Sequence, residues 1–586
     1  MLSKLHDALR LRTSPVIFFG SAGIIIMFVV LTLAFTDPLD SAVSTASDWL
    51  LTNMGWFYIL GVTAFLVFLI FIALGRFGRV RLGKDGERPQ YSDVAWFGML
   101  FAAGIGTILM FWGVAEPISH FGNPPRASLG VEPGTVEAAT DAMSFTFYHF
   151  TFHTWAIFAL PALAFAYFIH KRNLPPRVSS MFQPILGEKI HGPIGRTIDI
   201  VAIVGTVFGV AVSIGLGTLQ INGGLSQLTG IPESAGWNLI IIGVVCGLAT
   251  ISVALGMDRG LKVLSTINIW AAVGLLVFVL LAGSTLYTLK GTIESFGVYL
   301  ASLPQLAFWN DTFADTGWQN SWTVFYWAWT ITWSPFVGIF IARISKGRTI
   351  RQFVTGVLVV PATFSILWFG IFGMEAINIE MNGGGGLVDR VVGDNDIPGA
   401  LFAFLEHFPL AGFVSAFSIA LVALFFVTSV DSAALVLDTM ANGHEDFNPL
   451  KQRIFWSVSI AVIASVLLVF SGTGGLGALQ STIVLVGFPF FVIGYFQMYA
   501  LYRALREDAS ELPPLRTRRW KKVLPPEEAE RRAGDDTEYE SQYPEEEIVI
   551  DPQIDEEAPE FKDPYVNGDG DELDTTGWPT QPVISS

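Results

Sequence analysis

Charge and cysteine are both scarce in this sequence. Only 15% of its 586 residues are charged, whereas 52% are hydrophobic, and Cys246 is the single cysteine. A soluble chain of this length needs a charged surface to stay dispersed, so the composition predicts a protein whose outer surface faces lipid. One cysteine excludes an internal disulfide, and its place in an apolar run is typical of a small buried side chain.

The acidic charge is confined to the end of the chain. Residues 525–586 contain 20 Asp and Glu against 3 Lys and Arg, an excess equal to the net charge of −17 for the whole chain. This proline-containing segment cannot bury enough apolar area to fold, so we expect it to be disordered.

We divide the chain into a short N-terminus at 1–14, a membrane domain at 15–505 and a cytoplasmic tail at 506–586. The tail begins with a basic cluster at 516–522, which either attracts anionic lipid or only marks the cytoplasmic side.

Apolar runs of about 20 residues, the length that spans a bilayer, recur along the chain. They predict twelve transmembrane helices, at 15–36, 55–76, 92–114, 145–169, 197–220, 237–256, 264–287, 320–344, 353–374, 410–437, 453–471 and 478–503. The first run lacks a cleavage site, so we interpret it as an uncleaved helix. Basic residues concentrate in the connections after spans 2, 4 and 8, and the positive-inside rule then places both termini in the cytoplasm.

Spans 3 and 8 carry helix-breaking residues at their centres. Span 3 contains Gly104 and Gly106, and span 8 contains the pair Ser334-Pro335. The two spans lie five helices apart and so cross in opposite directions, and paired breaks in inverted halves indicate a binding site near the bilayer midplane. An unwound turn frees backbone groups, which a bilayer tolerates only where they face a cavity or a ligand. The alternative is that the glycines serve only close helix packing.

Tryptophans are concentrated in the middle of span 8. Trp327, Trp329 and Trp333 lie within seven residues, and the spacing of the last two puts them on one face of a helix. Span 4 offers further aromatic side chains, including Trp155. Indole faces attract quaternary ammonium groups, and desolvation strengthens the attraction. For any single ring, the alternative is ordinary core packing.

Several segments together resemble the betaine/choline/carnitine transporter family. They are Trp327–Gly338, Phe101-Ala-Ala-Gly-Ile-Gly106, Val114-Ala-Glu-Pro117, Phe426–Ser432 and Asp438-Thr-Met440. The resemblance covers the chain from about residue 15 to 505. It implies an all-α membrane protein with two peripheral helices and a LeuT-like core of two inverted five-helix repeats, spans 3–7 and 8–12. It also implies uptake of an osmoprotective zwitterion, often with sodium, by a homotrimer in the cell membrane of a bacterium.

The substrate site that the resemblance implies is an aromatic box on spans 4 and 8. Carried over residue by residue, it comprises Phe150, Trp155, Phe158, Trp329, Thr330 and Trp333, with the backbone of Gly104, Ile105 and Gly106. Thr330 and Phe150 stand where the family usually has tryptophan, and Phe158 where it usually has tyrosine. A box with fewer tryptophan and tyrosine rings argues against a carrier restricted to trimethylammonium compounds. We therefore predict glycine betaine, ectoine, proline or a similar zwitterion as the substrate.

The sodium site of the family maps onto spans 3 and 10. Thr428 and Ser429 match its hydroxyl pair, and the resemblance implies carbonyl ligands from Ala102, Ile105 and Phe425. Oxygen atoms of this kind are the ligands that hard cations prefer. Taken alone, the two hydroxyls are also explained by hydrogen bonds to their own helix backbone. Sodium is expected as the coupling ion, and no cofactor is expected.

Ionisable residues inside membrane spans are rare and usually functional. Asp431 in span 10 and Arg343 at the end of span 8 lie on the same predicted side. We expect them to pair, either in an inner gate or in a structural bridge. His149 and His153 share one face of span 4, and no third metal ligand is evident, so we interpret both as hydrogen-bonded interior groups.

Other classes of function fit the sequence less well. A channel needs a symmetric ring of charges or carbonyl groups, and an enzyme needs a polar catalytic cluster that two histidines alone do not provide. A LeuT-like amino-acid carrier and a sodium-independent antiporter stay open as alternatives. The span 8 tryptophans argue against the first, and the intact hydroxyl pair argues against the second. We predict a transporter, not an enzyme, that imports its solute by alternating access, contacts membrane lipid and has no nucleic-acid partner.

Overall fold

The protein is helical throughout the part of the chain that its structure describes. The computed structural model describes residues 6, 9–104, 106–255, 258–444, 449–469 and 475–508. The main helices in chain order are α1 Pro15–Ala34, α2 Thr36–Leu74, α3 Asp93–Gly104, α4 Thr107–Gly122, α5 Val136–Phe150, α6 Phe152–Ala166, α7 Pro193–Thr229, α8 Ala235–Leu255, α9 Asp258–Ala282, α10 Thr285–Leu306, α11 Phe325–Ile344, α12 Ile350–Asn382, α13 Ala400–Leu405, α14 Ala411–Asn442, α15 Leu450–Val469 and α16 Gly475–Asp508. Shorter helical segments lie at Arg76–Arg79, Ala127–Leu129, Tyr167–Lys171, Val178–Phe182, Gln183–Leu186, Gly187–His191, Asn320–Val324 and Asp389–Gly393.

Eleven helical segments among these residues are long and apolar enough to cross a membrane. They correspond to eleven of the predicted spans. The remaining span, predicted at 92–114, consists of α3 and α4, which have 12 and 16 residues. Each piece is shorter than the run of about 20 residues that crosses a bilayer as a continuous helix. The prediction of an all-helical membrane domain is therefore confirmed.

Span 3 is interrupted where its glycines predicted a break. Helix α3 ends at Gly104 and α4 begins at Thr107, while Ile105 lies outside the described residues. Gly106 has extended backbone, with φ −160° and ψ −179°, directly before α4. The chain therefore leaves the helical conformation in the middle of this crossing.

Span 8 is continuous, so the break predicted there is wrong. Helix α11 runs through Ser334-Pro335 without interruption. Proline removes only one backbone donor, and in a membrane domain neighbouring helices and hydroxyl groups compensate for the loss. A break occurs instead in span 4, between α5 and α6, where Thr151 has φ −113° and ψ −122°. The Thr151 hydroxyl donates to the carbonyl oxygen of Phe147 (2.6 Å) and lies 2.8 Å from the hydroxyl of Tyr299.

Helix α11 lies at the centre of the domain and carries the predicted tryptophan segment. It packs against α6, α7 and α16. Trp327 and Trp329 are 0% and 1% exposed. Gly487 of α16 comes so close that a Cβ there would lie 2.7 Å from the carbonyl oxygen of Ala328. Only glycine permits this approach of two helix backbones.

Large apolar side chains cover much of the outside of the domain. Examples from six helices are Ile26, Val67, Ile251, Trp270, Leu286 and Phe413, which are all exposed. Soluble monomers rarely expose apolar surface on this scale, because water makes it unfavourable. The surface is therefore of the kind that faces lipid, as the composition indicates.

Candidate functional site

The break in span 3 adjoins open space. Within the described part of the chain, a Cβ added to Gly106 would meet no neighbouring atom within 4 Å. Backbone groups freed at a helix end need a partner, and inside a membrane a cavity or a bound ligand provides it. Only the helical backbone of Ala102 and Gly104 is described, and Ile105 is outside the described residues. Gly106 is thus the one predicted backbone ligand of span 3 whose surroundings are defined.

Trp333 is the predicted box residue with the most accessible ring. It is half-buried on α11 and packs edge-on against Phe336, with ring centroids 5.6 Å apart. Its Cδ1 atom faces α7, 3.2 Å from the position that a Cβ on Gly209 would occupy. Its indole N–H has no hydrogen-bond partner among the described residues. Trp333 is therefore partly accessible, and its donor is not used by packing among the described residues.

Trp155 and Phe158 form a second aromatic pair, on α6. Their ring centroids are 5.4 Å apart, and the side chains are 3% and 7% exposed. Helix α6 packs along α11, as the predicted box requires. In this conformation, however, Trp155 contacts a ring of its own helix, as Trp333 does on α11. The structure thus brings the two helices together without stacking the two indoles.

Trp329, Phe150 and Thr330 take part in helix packing. Trp329 stacks on Phe325 and donates its indole N–H to the Ser213 hydroxyl of α7 at 2.9 Å. Phe150 stacks on a phenylalanine of α12 with ring centroids 4.2 Å apart. Thr330 is 5% exposed. These contacts are those of core side chains in the conformation that the structure describes.

The predicted sodium hydroxyls lie on α14. Thr428 donates its hydroxyl to the carbonyl oxygen of Phe425 (3.0 Å) and accepts a hydrogen bond from the amide of Asn268 on α9 (3.2 Å). Ser429, one residue on, is half-buried. Hydroxyl and carbonyl oxygens suit a hard cation. Asn268 is a polar neighbour of this pair that the sequence motifs did not single out.

Asp431 pairs with a different arginine from the one predicted. Its carboxylate accepts from Arg453 of α15 at 3.0 Å and from the Ser252 hydroxyl of α8 at 2.8 Å. The predicted partner was Arg343, at the end of α11. The chain positions of the two groups predict their depth in the membrane but not the face of α14 that carries Asp431. That face is turned towards α8 and α15. The expected Arg343–Asp431 pair is therefore replaced by Arg453–Asp431.

A buried acid contacts His149 of span 4 and His120 of span 3. Glu116 of α4 lies 2.6 Å from Nδ1 of His149 and 3.2 Å from Nε2 of His120, and all three side chains are 0% exposed. The sequence reasoning overlooked this group, although an acid and a histidine four residues apart inside a span were the available signal. His149 is hydrogen-bonded as predicted. His153 is not: both of its ring nitrogens lack partners among the described residues, and the ring stacks on Trp327 at 6.2 Å.

The broken helix and the buried aromatic side chains lie in the interior of a multi-pass helical domain, an arrangement typical of a membrane carrier. Residues 16–510 match the family described as betaine/carnitine/choline family transporter, and the chain belongs to this family. The members of this family are transporters. The protein is therefore a multi-pass membrane transporter and not an enzyme.

Its relatives include proteins named for different solutes. The ectoine/glycine betaine/proline transporter of Corynebacterium glutamicum is 47% identical over 526 residues, which cover 89% of this chain and 85% of that protein. The glycine betaine transporter of Acinetobacter baylyi is 40% identical over 507 residues, covering 86% and 75%. The high-affinity choline transport protein of Escherichia coli is 39% identical over 507 residues, covering 86% and 74%.

Proposed function

We propose that this protein imports a compatible solute with sodium, by alternating access, and thereby protects the cell against osmotic stress. The substrate is glycine betaine, ectoine, proline or a similar zwitterion. The observation that carries the proposal is Trp333, a half-buried indole whose N–H has no hydrogen-bond partner among the described residues. Such a ring attracts the positively charged nitrogen group that each of these solutes carries.

A broad substrate range follows from the composition of the box. The family usually has tryptophan or tyrosine at the positions of Phe150, Phe158 and Thr330. Phenylalanine binds a cation more weakly than an indole does. A site with fewer strong quadrupoles depends less on a trimethylammonium head. The similarity to a transporter named for ectoine, glycine betaine and proline supports the same range.

Sodium coupling rests on the hydroxyls of α14 and the break in span 3. Thr428 and the carbonyl oxygen of Phe425 are within hydrogen-bonding distance of each other, so both oxygens occupy one small volume. A cation that binds there would add attraction between α14 and the interrupted span 3, through the predicted carbonyls of Ala102 and Ile105. Binding of sodium would then favour one arrangement of the helices over another, as symport requires.

The finer architecture that we propose has twelve crossings, with α3 and α4 together as the third. Two peripheral helices precede inverted repeats formed by spans 3–7 and 8–12. The break in span 3 and the separation of five helices between spans 3 and 8, which gives them opposite directions, support this arrangement. Bacterial relatives and the basic connections support a place in the bacterial cell membrane with both termini in the cytoplasm. A homotrimer, and contact of 516–522 with anionic lipid, complete the proposal.

Uptake measurements in a bacterial host that lacks its own compatible-solute carriers test the function. Cells that express the protein should accumulate labelled glycine betaine, ectoine and proline in sodium medium at raised osmolarity, but not after sodium is replaced by potassium. Cells carrying the empty vector are the control. Uptake of proline and other amino acids, with neither glycine betaine nor ectoine taken up, would favour the amino-acid carrier. Sodium-independent exchange would favour the antiporter. Either result would refute the proposal.

A further inference from the structure

Glu116 and His149 form a buried pair that the proposed transport cycle does not use. They lie on α4 and α5, both side chains are 0% exposed, and Oε1 of the acid is 2.6 Å from Nδ1 of the imidazole. This separation is that of a short hydrogen bond, so a proton must lie between the two atoms. The remaining question is whether a neutral imidazole supplies that proton.

Neighbouring side chains decide the tautomer of His149. The side-chain amide of Gln319 donates through Nε2 to the carbonyl oxygen of Trp309 at 2.6 Å, which turns its Oε1 towards Thr323. The Thr323 hydroxyl donates to that oxygen at 2.9 Å. Having used its only hydrogen, Thr323 can only accept from Nε2 of His149, which is 2.8 Å away. A neutral His149 therefore carries its hydrogen on Nε2 and presents a lone pair at Nδ1.

The pair consequently holds one proton more than a carboxylate and a neutral imidazole possess. Either Glu116 is a carboxylic acid that donates to Nδ1, or His149 is an imidazolium that donates to the carboxylate. Without this proton, two lone pairs would face each other at 2.6 Å in a site that water does not reach. A metal ion fits less well, because bonds of about 2.0–2.2 Å would hold its ligand atoms roughly 3 Å or more apart.

None of the described groups around the pair carries a fixed positive charge. His120 of α4 lies 3.2 Å from Glu116, and Tyr326 of α11 faces the same carboxylate. The other titratable neighbours are Tyr148 of α5 and His153 of α6. Within the described part of the chain, no lysine or arginine forms an ion pair with Glu116. Among the described side chains, the positive charge that balances this acid is therefore a bound proton.

The pair touches the helix that carries the tryptophans. Thr323 belongs to the π-helical segment that leads directly into α11. The ring of His149 lies 4.9 Å from that of Tyr326 and 5.7 Å from that of Trp327. Loss of the proton would leave a buried charge against the first turn of α11, and that turn would have to move to let water in.

We propose that Glu116 and His149 form a proton-binding site within the membrane domain, and that the substrate binds to the protonated form. The substrate part of this proposal rests on the proposed function; the proton site itself does not. Because the proton is needed, binding should be strongest at low pH and weaken as the pH rises through the pKa of the pair. With one linked proton, the apparent dissociation constant should rise up to about tenfold per pH unit above that point.

Glu116→Gln is the decisive variant. Its amide can donate permanently to Nδ1 of His149 and so replaces the bound proton. Binding of labelled glycine betaine to the purified protein at fixed sodium should lose its pH dependence in this variant and persist at alkaline pH. The matched control is Glu375→Gln, the same change at a second buried acid, whose Oε2 accepts from the Ser284 backbone N–H and the Thr288 hydroxyl, both at 2.9 Å. The control should keep the pH dependence of the native protein.

A measurement without substrate tests the proton site independently of the transported solute. At pH values above about 4.3, the ordinary pKa of a glutamate, the melting temperature of the native protein should fall more steeply with rising pH than that of Glu116→Gln, because only the native pair loses this proton. Equal pH profiles for the two proteins would overturn the site. Elemental analysis that finds one divalent metal ion per native chain, and none in Glu116→Gln, would also overturn it. If the melting profiles differ as expected but glycine betaine binding is independent of pH, the link to the substrate is refuted and the proton site stands.

Discussion

Replacing Trp333 by leucine should weaken substrate binding and leave the protein folded. Trp333 and Trp329 lie one helical turn apart on α11, yet their surroundings differ. Trp329 is 1% exposed, stacks on Phe325 and donates to Ser213. Trp333 is half-buried, and its N–H has no partner in the described part of the chain. The same substitution at the two positions therefore separates ligand binding from packing.

The expected magnitudes follow from these contacts. A desolvated indole contributes up to ~2 kcal/mol to holding a cationic head. Its loss in Trp333→Leu should raise the apparent KM by roughly tenfold to thirtyfold. Trp329→Leu loses a buried hydrogen bond and part of a fully packed side chain, which should lower the free energy of unfolding by about 2–3 kcal/mol.

Uptake of labelled glycine betaine and thermal unfolding of the purified variants measure the two effects. Surface expression, measured by labelling of intact cells, is the control for both. The reasoning is refuted if Trp333→Leu transports with native KM at native expression, because the substrate would then lie elsewhere. It is also refuted if Trp333→Leu destabilises the protein as much as Trp329→Leu, because both rings would then be packing residues.

Three further predictions concern the ion site, the buried ion pair and the tail. Thr428→Ala combined with Ser429→Ala should raise the sodium concentration for half-maximal uptake at least tenfold, because two oxygen ligands are lost, and an unchanged sodium titration would remove this site. Asp431→Asn should destabilise the protein by about 3–5 kcal/mol, because it leaves Arg453 buried without its carboxylate. Adding Arg453→Gln should restore part of the thermal stability, and no restoration would argue against the pair. Deletion of the chain after residue 525 should leave membrane insertion and maximal uptake unchanged, because a segment of this composition contributes no packing, and loss of the protein from the membrane fraction would show the contrary.

The places of the membrane helices could be predicted from the sequence, but not their lengths: Thr36–Leu74, predicted at 55–76, has 39 residues. Eleven of the predicted spans reappear as helices, and the glycines around Gly106 gave the position of the break in the third. Both are local properties. An apolar run must satisfy its own backbone groups in lipid, and it does so as a helix regardless of what its neighbours are.

The partner of each buried polar group was decided only by the tertiary structure. Nothing in the sequence distinguishes Arg343 from Arg453 as the partner of Asp431, because the sequence does not reveal which face of α14 meets which helix. For the same reason, the sequence does not indicate that Glu116 contacts His149. The two residues are 33 positions apart in the chain, yet their side chains lie 2.6 Å from each other. A side chain inside a membrane domain can be satisfied by any helix that reaches it, so its role depends on packing between segments that are distant in the chain.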